Sequence, residues 1–143
     1  MASESELRCT IKADEAAYDQ KKSTWTALQR QVDQLVEVRE HVRKAKRDAQ
    51  AGLQALRNLE PSSSWRGKRR RGFDNAMDGD IVRRTARYVE NIDLLEAQIT
   101  QKMEELNNQA RGCQSDMATL DARIGRNRFS LKALLDGSIM VGK

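Results

Sequence analysis

Apolar residues from Ile11 to Leu56 fall on two interleaved seven-residue series: Ile11, Tyr18, Trp25, Val32 and Leu53 on one, Leu28, Leu35, Val42, Ala49 and Leu56 on the other. Three-four spacing held over about six heptads predicts a long helix buried along one seam against another helix. Arg39 and Lys46 interrupt the first series. Their aliphatic stems can cover a seam while the charges reach water, so the middle of this helix is the weaker part.

The second half repeats the pattern as Ile81, Thr85, Tyr88, Ile92, Leu95 and Ile99, then Met103, Leu106, Ala110, Cys113, Met117, Leu120 and Ile124. Leu95 to Met103 is eight residues instead of seven, which predicts a phase slip absorbed by a local change of supercoil. Gly112 and Gly125 each cost about 1 kcal/mol relative to Ala, and neither adjoins a Pro, so the helix is expected to run through both.

Between the two stripes, Asn58 to Gly67 brings together the single Pro, a serine run and a Gly. Pro61 disfavours helical geometry at Glu60, and Ser62 or Ser63 is suited to cap the next helix. The fold class that follows is all-α: a long antiparallel two-helix hairpin, coiled-coil-like, in one domain spanning 1–143. Helix one is expected at about 5–59, the turn at about 60–64, helix two at about 65–135 and a fraying tail at 136–143. Apolar residues off the seam (Leu59, Phe73, Met77, Val82, Val89 and Leu94) widen the stripe, so a bundle of more than two helices is expected in the working assembly.

Composition reinforces the helical reading. A 33% charged chain with one Pro and 4% aromatic residues has neither the turn residues for many strands nor the bulk for a thick core. No stretch is apolar enough to span a bilayer, and MASESELRCT lacks the pattern of a secretory signal, which implies a cytoplasmic start. Cys9 and Cys113 have no neighbouring Cys or His at ligand spacing, so no zinc site or other metal is expected and the pair reads first as free thiols. A turn near 61–63 would put Cys9 level with residues 113–117, and a disulfide would need the N-terminal turn to rotate.

Of the polar residues, His41 stands alone and reads as a surface residue, while Glu104 with Glu105 and Asp14 with Glu15 are helix-surface pairs without a pocket. No catalytic residue, cofactor or small-molecule substrate is expected, and the chain is read as non-enzymatic. Arg66, Lys68, Arg69, Arg70 and Arg71 form a basic tip. It is a candidate anion site for nucleic acid, acidic headgroups or an acidic protein patch; the alternative is a solvated charged end. The scarcity of stacking aromatics disfavours nucleic acid.

The run Ser63-Ser64-Trp65-Arg66-Gly67 is followed by Phe73 and then Tyr88 at helical phase. A W-x-G turn between long helices with this downstream aromatic pattern resembles the WXG superfamily, closest to the small helical partners of LXG toxins in type VII secretion systems. The resemblance implies a chaperone or adaptor that binds the helical N-terminal domain of an LXG-type toxin. A hetero-oligomer follows, open to a second small helical partner. Trp65, Gly67 and Phe73 would shape one end, and Tyr88, Ile92 and Ile99 would meet partner helices. Trp65 can fold over the end of the seam, and Gly67 would permit close approach of a helix. The family's Y-x-x-x-[DE] export signal is not matched, since Ile92 follows Tyr88 and Ala133 follows Phe129 at that spacing. The implied route is therefore signal-peptide-independent secretion together with the partner. Two competing readings are a basic coiled-coil stalk of a flagellar or type III export ATPase and a nucleic-acid-binding rod using the arginine-rich tip.

Overall fold

A computed structural model describes residues 3–61 and 64–141, with side chains described through 137. The chain is all-α: α1 spans Glu4–Arg57, α2 Lys68–Asn75, and α3 Ile81–Val141, with a single π-helical turn, Ala76–Asp80, between α2 and α3. The described residues contain no strand. A capping box opens α1: the Glu6 amide donates to Ser3 Oγ at 3.2 Å, and the Ser3 amide donates to Glu6 Oε2 at 3.3 Å. The segment expected to fray from Asp136 is helical to Val141. Among the described residues no helix is long and apolar enough to cross a membrane.

The chain divides into two compact units, one of residues 1–32 and 104–143, the other of residues 33–103. In the first, α1 and α3 run antiparallel, as the partners of successive residues show: Asp14 meets Arg123 and Lys21 meets Asp116. Leu7, Ile11, Leu28 and Val32 of α1 are buried, as are Leu106, Ala110, Cys113 and Ile124 of α3. Asp14 is also buried, at 5% exposure, because it occupies a seam position between Ile11 and Tyr18. Arg123 reaches it with two hydrogen bonds, Nε to Oδ2 at 2.8 Å and Nη2 to Oδ1 at 2.5 Å, so the carboxylate is paired where it leaves water. The surface-pair reading of Asp14 is thereby corrected. Its neighbour Glu15 pairs with Arg128 beside the seam.

In the second unit the helices are again antiparallel, with Arg43 Nε donating to Glu96 Oε1 at 2.8 Å and Lys46 paired with Asp93. Leu53, Ile92, Ile99 and Met103 are buried. The α3 seam runs Val82, Thr85, Val89, Ile92, Glu96, Ile99 and Met103, each buried or half-buried at unbroken three-four spacing. There is no phase slip. Ile81, Tyr88 and Leu95, expected on the seam, are exposed at 45%, 56% and 45%. Val82, Val89 and Glu96 hold those places, and Glu96 can do so because two cations meet it there.

Stepping the Arg43–Glu96 and Lys46–Asp93 pairing toward the end of α1 brings Arg57 opposite Val82. The connection therefore includes α2 and the π-turn as well as the loop. Helix two begins at Lys68 rather than at residue 65, and its N-cap is Gly67, which contributes no side-chain hydrogen bond. The expected caps Ser62 and Ser63 lie outside the described residues.

Candidate functional site

The site residues all belong to the second unit. Trp65 precedes α2 and stands edge-on to Phe73, with ring centroids 5.8 Å apart and planes at 67°. Both rings are half-buried, in the offset geometry that places a ring's positive edge on its neighbour's negative face. Between them Gly67 turns the chain with φ 63° and ψ −125°. A side chain is strained at that dihedral pair, and this is the reason for glycine at the position. Close approach of another segment of this chain is not, since a β-carbon there would meet nothing within 4 Å.

The expected partner residues separate into two groups. Tyr88 is exposed, while Ile92 and Ile99 are both 7% exposed and contribute to the unit's own core. They are unavailable to a partner while the seam is closed. In their place the structure brings forward Ile81 and Leu95, which share one line with Tyr88, each directly preceding a seam residue of α3. On α1 the corresponding positions are Val38, Ala45 and Gly52, preceding the seam residues Arg39, Lys46 and Leu53, and all three are exposed. In an antiparallel pair these lines flank the seam on the same side. The register sets the small Ala45 and Gly52 beside Leu95 and Tyr88, forming an apolar trough.

The opposite flank is ionic. Arg43 bonds Glu96 and Glu40, and Lys46 bonds Asp93 and Glu96. Hydrogen bonds from Arg43 hold the Glu96 carboxyl below the usual carboxylate range; burial opposes this and Lys46 reinforces it. Asp93 likewise holds the Lys46 ammonium above its ordinary value. In the first unit Arg123 lowers the Asp14 carboxyl in the same way. Coiled coils ordinarily carry charges on both flanks. Here one flank is bridged by ion pairs, while the other is apolar or glycine at Val38, Ala45, Gly52, Ile81, Tyr88 and Leu95, with Lys102, next on the α3 line, as its charged end.

Arg66, Lys68, Arg69, Arg70 and Arg71 are all exposed, and Arg70 Nε bonds Asp74 Oδ1 at 3.2 Å. His41 is exposed. Cys9 and Cys113 are free thiols, exposed and buried respectively. The antiparallel register of the first unit places Cys9 near the level of Arg128, about 20 Å along α3 from Cys113 at 1.5 Å per residue. The expected match of heights therefore fails, because the connection is longer than a turn centred at 61–63. A surface depression of about 430 Å3 on α1 is lined by Asp19, Lys22, Ser23, Thr26, Ala27 and Arg30. Among the described residues no group of three His, Cys, Asp or Glu is placed to hold a metal.

Comparison with known proteins returned no matching family model, no matching curated protein and no matching solved structure.

Proposed function

We propose that this chain is a non-enzymatic adaptor whose second unit is completed by the helices of a partner protein. The observation that carries the proposal is the apolar stretch of one flank of that unit, where Ile81, Tyr88 and Leu95 stand exposed on the same side as Val38, Ala45 and Gly52. An exposed apolar line next to a two-helix seam is the place where a third or fourth helix packs, with small residues on one side admitting large ones from the partner. The resemblance of the W-x-G turn supplies the partner class: the helical N-terminal domain of an LXG-type toxin, presented for type VII secretion, with a second small helical protein able to join. The adaptor would travel with that partner.

The test is co-purification of the tagged chain with the product of the neighbouring gene, with light scattering to count chains. Tyr88→Asp with Leu95→Asp should abolish the complex, whereas Phe129→Asp, at an exposed residue of the first unit, should leave it intact. A monomer that ignores the neighbouring product refutes the adaptor reading. Binding that survives both apolar-flank substitutions refutes the assignment of the surface.

A further inference from the structure

We infer that the segment from Arg66 to Arg87 docks the second unit against an anionic membrane surface. This rests on observations separate from the apolar flank. Eight basic residues (Arg66, Lys68, Arg69, Arg70, Arg71, Arg83, Arg84 and Arg87) stand in this stretch against Asp74, Asp78 and Asp80, an excess equal to the net charge of the whole chain, +5. All eight are exposed.

Their arrangement selects the kind of anion. Lys68, Arg69, Arg70 and Arg71 are consecutive residues of α2, so at about 100° per residue they point to every side of the helix. A nucleic-acid groove receives one face of a helix and would meet only some of them. They also cover barely more than one turn, too short a stripe to follow a phosphate backbone. A broad anionic plane meeting the end of the helix engages all four. Trp65, half-exposed beside them and edge-on to Phe73, and Leu59, 53% exposed in the same connection, are the side chains that settle at headgroup depth. With no membrane-crossing helix among the described residues, attachment through this segment would be peripheral and reversible.

The experiment is sedimentation of the full chain with mixed phosphatidylglycerol–phosphatidylcholine vesicles against phosphatidylcholine alone, across a salt series. A Trp25→Phe background leaves Trp65 as the only indole for fluorescence. Binding is expected on the anionic vesicles only, with a blue shift of Trp65 emission and release by salt. Arg69→Gln with Arg71→Gln should weaken partitioning on the order of 20-fold, about fivefold per charge, with helix content unchanged by circular dichroism. Equal sedimentation with neutral and anionic vesicles overturns the inference, as does an unshifted Trp65. Tighter binding to duplex DNA, persisting at salt that strips the chain from vesicles, overturns it in favour of nucleic acid.

Discussion

The assignment of the α3 seam is tested by two alanine substitutions four residues apart in the same unit. Ile99 is 7% exposed and Leu95 is 45% exposed. Ile99→Ala removes three buried carbons, about 2.4 kcal/mol at ~0.8 kcal/mol per methylene. A two-helix seam can partly close over the gap, which keeps the cavity penalty toward the low end of the range of about 2–5 kcal/mol. Alanine returns about 0.4 kcal/mol of helix propensity, leaving a net loss of roughly 2 kcal/mol. Leu95→Ala removes the same three carbons from a site 45% exposed, about 1.3 kcal/mol at that rate, and alanine returns about 0.2 kcal/mol of helix propensity, so its loss is about 1 kcal/mol, half that of Ile99→Ala. The assay is urea unfolding of the isolated chain followed by circular dichroism, with the slope checked to be the same for both variants. If Leu95→Ala costs as much as Ile99→Ala, the seam passes through Ile81, Tyr88 and Leu95, and the apolar flank described above does not exist.

Acid should destabilise the first unit through Asp14. Its carboxyl is depressed by Arg123, so its contribution is fully present above the ordinary carboxylate pKa and is lost as pH falls through the folded-state value. Thermal melts across the acid range should fall less steeply for Asp14→Asn than for wild type; parallel curves would remove Asp14 as a source of the dependence. Gly67→Ala, forced to φ 63°, should lower stability by about 1–3 kcal/mol in a melt, and an unchanged melting temperature would show that the turn relaxes freely. Under native conditions Cys9 should alkylate at once and Cys113 only on unfolding, with no intramolecular disulfide on a non-reducing gel after mild oxidation. A rapid second alkylation would mean that the buried seam at Cys113 opens readily.

The helical pairing was legible because Trp25, Leu28, Val32 and Leu35, and later Met103, Leu106, Ala110 and Cys113, keep the three-four rhythm without help. The rhythm misled where charge sits on the seam. Asp14, Lys21 and Glu96 look like surface residues, and the apolar Ile81, Tyr88 and Leu95 took seam places that are properly those of Val82, Val89 and Glu96. One signal was available: moving the α3 series one residue onward removes the need for any slip, and leaves Glu96 as the position to be explained by a cation opposite. Trp65, Gly67 and Phe73 were legible as a group, though the physical reason for Gly67, a positive φ, is not written in its neighbours. The length of the connection was hidden altogether, since Lys68 to Asp80 has helical composition and nothing local tells a helix that pairs from one that only caps.

The π-turn at Ala76–Asp80 gives the connection of the second unit a freedom of its own. Half-buried Phe73, Met77 and Val82 are four and then five residues apart, and the extra residue is taken up by the widened turn instead of breaking the helix. The periodicity that governs Val82 onward consequently does not extend back into Lys68–Arg71. A lineage could add or lose a residue within 76–80 and swing the arginines around the axis by roughly a quarter turn, while every pairing from Arg43–Glu96 down stayed in place. The docking end can thus drift with whatever it touches, and the part that folds need not change with it.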